Sequence, residues 1–270
     1  GTILPDTRTK TTNRFTNWQI AERLTYSLRK DIELYADGTY YTKRIYRPTN
    51  GKYASCDVYT YDLLYKNASA SLGGKWAIDP KKKDVLTLDV DWNLHDYYYR
   101  YTARTYEYEK LNGEQYGDMN GEWYSVPYYP GQKNLQSDQQ RVMAQAKAVV
   151  HLPYKNTLNS GLEYRYDYLH APLRTDNGSA SDWTAAGYVQ DEFDWLKWFN
   201  LTAGLRLVGN ENFGVRLTPK VSTMLSFGDF RLRMGWSQGF KTPLVKEMHY
   251  RYLHVMGSST FFNMGNESLK

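Results

Sequence analysis

Long apolar runs are missing from this sequence, which has a mean hydropathy of −0.70. No stretch approaches the roughly 20 consecutive apolar residues that a membrane-spanning helix requires, so a helical membrane protein is excluded. Cys56 is the only cysteine, which excludes a disulfide within the chain. Basic residues are interspersed with acidic ones, apart from the run Lys81–Lys83. The clustered basic patch typical of nucleic-acid-binding proteins is therefore also missing, and no nucleic-acid partner is expected.

Recognisable catalytic motifs are missing as well. The histidines are too dispersed for a zinc signature, and no nucleophile elbow, phosphate-binding loop or paired-cysteine motif occurs. Asp191 and Glu192 are adjacent, but neighbouring residues of a strand face opposite sides and cannot act as a carboxylate pair. The sequence predicts a protein that is not an enzyme and that has no resident cofactor or metal.

An alternation of apolar and polar residues runs along most of the chain. In the segment 230–237, Phe230, Leu232, Met234 and Trp236 share one face of an extended strand, and Arg231, Arg233 and Ser237 point to the other. Residues 85–95 show the same pattern, with the apolar positions at even numbers. A repeated apolar/charged alternation is the signature of an outer-membrane barrel, whose strands need one apolar face only.

About ten such strands can be placed, joined alternately by short turns and longer connections. The predicted fold is all-β: part of the wall of an antiparallel, up-and-down transmembrane β-barrel, with short turns on the periplasmic side. Tyr97–Tyr101 is interpreted as an aromatic girdle and rim. The long outer loops are predicted near residues 47–57, 106–137, 171–180, 209–216 and 240–270.

Aromatic residues make up 16% of the chain, and 26 of them are tyrosines. Tyr and Trp favour membrane–water interfaces, which fits a barrel. Two alternatives stay open, a passive porin-like channel and a soluble β-rich glycan-binding protein. The segment Gly1–Asp6 has neither the charged nor the apolar region of a signal peptide, and Asn266–Lys270 resembles the middle of a loop. Residues 1–270 are therefore expected to be a fragment of a single barrel domain.

Three segments resemble TonB-dependent outer-membrane receptors. Tyr188–Phe193 with Leu201–Arg206 is similar to the family's YxQDE…LTxxxGLR hairpin, and Pro219–Ser222 matches its PKVS strand start. The third segment resembles the family's GFRAPxxKEL…GNPDLKPE motif, through Phe240, Pro243, Asn266 and Leu269. It departs from that motif at Lys241-Thr242 and Glu267-Ser268.

The resemblance implies a Gram-negative outer-membrane receptor that imports a scarce nutrient, such as an iron chelate or haem. Family members form barrels of about 22 strands closed by a plug. The plug and the TonB-box would lie outside this piece, and the TonB complex would act through that missing plug. Outer-membrane lipid and a small nutrient ligand are the other partners implied, with delivery by a surface lipoprotein as an option. Siderophores, cobalamin and glycans remain candidate cargoes beside haem.

Haem receptors of this family carry a histidine between the two boxes of the third motif. Here His249 and His254 lie between those boxes, beside Tyr250 and Tyr252. Histidine and tyrosine can both serve as axial ligands of haem iron. The resemblance therefore makes His254, and after it His249, candidate contacts of a haem iron, whereas the alternative is an ordinary loop histidine in a receptor for another ligand.

Overall fold

A computed structural model describes residues 14–47, 59–110, 123–175, 177–256 and 259–268. Within these ranges, no helix is long and apolar enough to cross a membrane. The elements are β1 (Phe15–Arg29), β2 (Ile32–Ile45), β3 (Tyr61–Asp79), β4 (Asp84–Tyr101), β5 (Thr105–Lys110), β6 (Trp123–Tyr128), β7 (Lys133–Leu152), β8 (Asn156–His170), β9 (Ser179–Leu196), β10 (Phe199–Asn210), β11 (Gly214–Phe227), β12 (Phe230–Ser237), α1 (Val245–His249), β13 (Arg251–Met256) and β14 (Ser259–Met264).

Ten strands form one antiparallel sheet in the order β1-β2-β3-β4-β7-β8-β9-β10-β11-β12. Every strand pairs with the next wall strand along the chain, which confirms the up-and-down arrangement and the number of strands. Among the described residues β1 and β12 do not pair with each other, so this part of the barrel wall is open at two edges. A one-turn 3₁₀ helix, Pro153–Lys155, makes one of the short turns.

The pairing register sorts the two faces of the sheet. Directly opposed residues of an antiparallel pair point to the same side, so one continuous row can be followed across the wall. A row of apolar residues and glycines runs across eight strands through Leu34, Gly74, Leu88, Ala146, Leu162, Gly187, Leu207 and Leu217. We call this side the outer face and the opposite side the inner face.

The inner face carries hydrogen-bonded charges. Arg141 Nε lies 2.6 Å from an oxygen of Asp167, which also pairs with Arg165 Nε at 2.8 Å. Further along the same face, Arg206 Nη2 lies 3.1 Å from Glu163. The predicted separation of an apolar outer face from a charged inner face is confirmed.

The prediction of a long outer loop at residues 209–216 is wrong. β10 continues to Asn210 and β11 begins at Gly214, which leaves a three-residue connection. The Asn210 side chain closes the turn: its Oδ1 accepts a bond from the Asn212 backbone N–H at 2.7 Å, and its Nδ2 donates to Asp182 at 2.7 Å. Gly214 has a φ of +69°, which other residues rarely adopt. A polar sequence that resembles a loop is here a tight turn because its side chains replace backbone partners.

The connection between β4 and β7 contains structure of its own. β5 pairs with β6 there, and β7 begins at Lys133, extending further into the predicted loop 106–137 than the sequence pattern suggests. A register shift between Tyr97 and Tyr98 leaves Gln136 as an extra residue in β7. The bulge turns the Gln136 side chain into a buried position.

The segment after β12 folds back against the inner face. Val245 of α1 packs with Leu169 and Ala171 at the extracellular ends of β8 and the following connection, and Tyr250 completes this cluster. Gly265 N–H donates to the Tyr250 carbonyl at 2.6 Å, and β13 pairs with β14. The described residues of this segment, 238–256 and 259–268, therefore cover part of the inner wall, and we refer to them as the covering loop.

Candidate ligand-binding site

A group of stacked tyrosines lines the extracellular end of the inner face. Tyr61 and Tyr99 stack with ring centroids 3.9 Å apart, and Tyr65 and Tyr97 stack at 5.0 Å. Tyr101, which is 1% exposed, closes the group. These five residues form what we call the tyrosine wall. The interpretation of Tyr97–Tyr101 as a membrane girdle is thus wrong for its odd-numbered members, because they continue the inner-face alternation of β4.

Arg174 connects the tyrosine wall to the covering loop. Its Nη2 donates to Gln136 Oε1 at 2.9 Å and to Tyr99 Oη at 3.4 Å. Its guanidinium lies over the Tyr252 ring at 4.7 Å, and its carbonyl accepts a bond from Arg251 N–H at 2.7 Å. Arg174 Nε is buried and has no hydrogen-bond partner among the described residues. A half-buried guanidinium with a free donor is suited to an anionic group.

Tyr250 and Tyr252, two of the candidate ligand contacts, both lie close to Arg174. Their rings meet edge to face with centroids 5.9 Å apart. Burial raises the pKa of Tyr250. The nearby Arg174 charge and a hydrogen bond with Ser137 reduce this increase. The Tyr250 hydroxyl therefore stays protonated at neutral pH. Their role as ligand contacts stays a prediction.

The two candidate histidines have different outcomes. His249 Nδ1 lies 3.6 Å from Glu267 Oε1, and Arg251 Nη2 lies at the same distance from that oxygen. His249 is thus directed to a carboxylate of its own loop. His254 lies in β13 opposite Phe261, but its side chain falls outside the described residues. Within the described part of the chain, no group of three or more metal-ligating residues occurs.

The four residues of the family motif position the covering loop. Phe240 packs on Phe213 with ring centroids 4.8 Å apart, beside buried Ala186 and Val208. Pro243 is half-buried ahead of α1, and Asn266 N–H donates to the Glu247 carbonyl at 3.1 Å. Leu269 lies outside the described residues. The three described members are thus structural contacts at the two ends of the loop.

A cavity of about 540 Å³ lies below the covering loop. Its roof is Leu244–Lys246, and its walls are residues of β2, β3, β4, β7 and β8. His95 Nδ1 is 2.7 Å from Asn67 Oδ1 in this wall, and Arg141 and Asp167 lie beside it.

Lowering the pH should destabilise α1. The Glu247 carboxylate accepts bonds from Leu244 N–H and Lys241 Nζ, each at 2.9 Å, and these lower its pKa. A carboxyl group whose pKa is lower in the folded than in the unfolded state stabilises the fold at pH values above its unfolded-state pKa. This stabilisation is lost as the pH falls through the folded-state pKa. We expect the hydrogen-exchange protection factors of residues 244–248 to decrease when the pH is lowered below 4.5, the ordinary pKa of a glutamate side chain. In Glu247→Gln these protection factors should be low already at neutral pH and should not change when the pH is lowered. Acid-sensitive protection in that variant would contradict the assignment.

The main features of this site were not found from the sequence. Extending the alternation of Leu86–Leu94 would have placed Tyr97, Tyr99 and Tyr101 on the inner face. No local signal identifies Arg174, because its partners come from β4, β7 and the covering loop.

Comparison with known proteins agrees with the geometry. A family model described as "TonB dependent receptor-like, beta-barrel" matches residues 1–270. The iron-regulated outer membrane virulence protein of Vibrio cholerae serotype O1 is 30% identical over 86 residues, which are 32% of this chain and 13% of that protein.

Solved receptor structures share the fold. The siderophore receptor PirA from Acinetobacter baumannii superposes with a TM-score of 0.68 at 13% identity, covering 96% of this chain and 40% of that one. A variant of the ferric enterobactin receptor PfeA from Pseudomonas aeruginosa gives 0.68 at 15% identity, covering 95% and 38%. The chain thus spans about two fifths of the length of these receptors.

Proposed function

We propose that this chain, which belongs to the family of TonB-dependent receptors, forms the part of an outer-membrane receptor barrel that captures an iron chelate for import. The family places the chain in the outer membrane of a Gram-negative bacterium. An iron-regulated relative and siderophore-receptor neighbours support iron chelates over other cargoes. Energy would come from TonB, acting through a plug in the complete protein, whereas delivery by a surface lipoprotein stays a prediction.

The observation that carries this proposal is the contact of Arg174 with the tyrosine wall. Stacked aromatic rings provide a flat apolar surface for aromatic groups of a ligand, and an Arg guanidinium binds anionic oxygens in a planar, bidentate manner. Arg47, whose guanidinium lies 3.5 Å from the Tyr59 ring centroid and 5.2 Å from that of Tyr61, adds a second cation at the edge of the wall. An anionic, aromatic-rich ferric chelate fits this combination best.

A binding measurement on the complete receptor tests the proposal. We expect Arg174→Ala to weaken binding of a ferric tricatecholate about 10- to 100-fold, because a hydrogen bond to a charged group contributes about 1.5–3 kcal/mol. Tyr99→Ala should also weaken it, through lost stacking. Affinity can be followed by quenching of intrinsic fluorescence.

Arg233→Ala is the matched control, because Arg233 lies on the inner face of the edge strand β12, away from the tyrosine wall. Arg174→Lys keeps the positive charge but removes the planar guanidinium, so it shows whether binding requires the charge alone or also the planar group. Unchanged chelate affinity in Arg174→Ala and Tyr99→Ala would overturn the proposed site. Tight haem binding with a Soret shift that is lost in His254→Ala would instead establish haem as the cargo.

A further inference from the structure

Two rows of polar inner-face side chains line the cavity below the covering loop, and we call them the cavity floor. In the first row Asn67 is directly opposite His95, and His95 is opposite Gln139. In the next row toward the periplasmic end, Ser69 is opposite Asn93. Directly opposed residues lie about 5 Å apart and successive rows about 7 Å apart. Amide, imidazole and hydroxyl groups are therefore concentrated in one small area.

The cavity floor presents hydrogen-bond donors and acceptors side by side. His95 Nδ1 lies 2.7 Å from Asn67 Oδ1. Because an amide oxygen can only accept, Nδ1 carries the proton, which leaves Nε2 of the neutral ring as an acceptor and the Asn67 amide nitrogen as a donor. Within the described part of the chain, the side-chain amides of Asn93 and Gln139 have no hydrogen-bond partner. A ligand that carries several hydroxyl groups can therefore donate and accept here at the same time.

The charges beside the cavity floor are already paired. Arg141 Nε lies 2.6 Å from Asp167 Oδ1, and Arg165 Nε lies 2.8 Å from the other oxygen of the same carboxylate. Lys246 is an exposed residue of the roof. Among the described residues, no other Asp, Glu, Lys or Arg lines the cavity. Electrostatic complementarity therefore favours a neutral group over an ionic one at the floor.

The roof and one margin of the cavity are less polar than its floor. Val245, which is 8% exposed, packs with Leu169, which is 2% exposed. At the margin, the His95 and Tyr65 ring centroids lie 6.0 Å apart, and Tyr65 belongs to the tyrosine wall. The volume of about 540 Å³ falls within the range of small-molecule sites, about 300–1,000 Å³. A sugar ring, with its hydroxyl edges and C–H faces, matches this combination of surfaces.

We propose that this cavity binds a neutral sugar group carried by the iron chelate, so that the cargo is a glycosylated aromatic chelate. The inference rests on the proposed function, because the aromatic part of the chelate must lie on the neighbouring tyrosine wall. The sugar hydroxyls would bond to Asn67, His95 Nε2 and Gln139, and its C–H faces would pack under Leu244 and Val245. An apolar group of the same size would leave the amides without partners, which is unfavourable.

The test uses the complete receptor and three ferric tricatecholates. One is unsubstituted, one carries a glucosyl group on a catechol ring, and one carries a cyclohexyl group at the same position. The glucosyl compound should bind about tenfold more tightly than the unsubstituted one, because it gains two or three hydrogen bonds of modest net strength. The cyclohexyl compound has a ring of similar size without hydroxyls and should show no such gain. Quenching of intrinsic fluorescence gives the three affinities.

Two double variants assign the preference to the cavity. Asn67→Ala/Gln139→Ala should bring the ratio of glucosyl to unsubstituted affinity close to one. Asn159→Ala/Gln190→Ala is the matched control, because these two amides oppose each other on the inner face outside the cavity lining, and the preference should persist in it. Heat-modifiable migration shows that both variants are folded, and the comparison of the three compounds in the unchanged receptor requires no variant.

The outcomes separate this inference from the proposed function. Equal affinities of the glucosyl and unsubstituted compounds in the unchanged receptor would overturn the inference and leave chelate capture in place. An equal gain with the cyclohexyl compound would overturn it too, because the hydrogen bonds would then contribute nothing. A preference that persists in Asn67→Ala/Gln139→Ala would show that the sugar binds elsewhere. If none of the three compounds binds, the proposed function is wrong, and this inference with it.

Discussion

Leu205→Arg should severely reduce assembly of the receptor in the outer membrane. Leu205 lies opposite Val189 and Pro219 on the outer face, in the middle of the apolar positions of β10. A cation at the lipid-facing midplane of a barrel costs about 2–4 kcal/mol. Because native proteins have a margin of only about 5–15 kcal/mol, this cost should lower the yield of folded receptor severely. Heat-modifiable gel migration of isolated outer membranes measures that yield.

Arg206→Ala is the control at the neighbouring position. Arg206 points to the inner face, where its ion pair with Glu163 is partly exposed. Such pairs contribute about 0–1 kcal/mol, so assembly should remain close to normal. Equal yields of the Leu205 and Arg206 variants would refute the assignment of the two faces.

Gly265→Val should separate the covering loop from α1. A Cβ atom at Gly265 would lie 3.0 Å from the Glu247 carbonyl oxygen and closer still to the Met248 carbonyl group. These are backbone atoms of α1, so relief requires that the whole loop shifts. Overpacking typically costs about 1–3 kcal/mol, and the backbone bond from Gly265 to Tyr250 would be lost as well. Tyr250 and Tyr252 would then move away from Arg174.

We expect this variant to assemble normally but to lose about tenfold or more in ferric tricatecholate affinity, and to be cleaved faster in the covering loop by added protease. Gly239→Val is the matched control, since no atom lies within 4 Å of a Cβ at that glycine. An unchanged cleavage rate and affinity in Gly265→Val would show that the loop does not need this close contact.

The wall of the barrel could be predicted from the sequence, whereas the covering loop could not. In Leu86–Leu94, the polarity of each residue indicates which face it lies on, because successive side chains of a barrel strand point alternately to lipid and to the lumen. The same pattern did not predict the turn at Asn210, because the polar side chains there form hydrogen bonds within a tight turn and do not indicate a longer loop. Composition alone does not distinguish these two uses of asparagine.

The candidate site was located only in part. Family resemblance directed attention to Tyr250 and Tyr252, and both lie close to Arg174. His249 lies 3.6 Å from Glu267, a pairing that depends on how the loop returns along itself, and its role as a ligand contact stays a prediction. Arg174 was missed because its importance comes from side chains 38 and 75 residues away in the sequence, Gln136 and Tyr99. Such long-range contacts leave no periodic signal.

The covering loop is attached to the wall at three places of unequal strength. Near its start, Phe240 packs into an apolar cluster with Phe213, and Val245 of α1 packs into a second apolar cluster with Leu169 and Ala171. Beyond α1, the attachment includes polar contacts of Arg174, which water or a ligand anion can replace. Mechanically, the segment is a lever whose pivot is at α1. A ligand that competes for Arg174 would therefore release the part of the loop beyond α1 first, while the two apolar clusters stay in place.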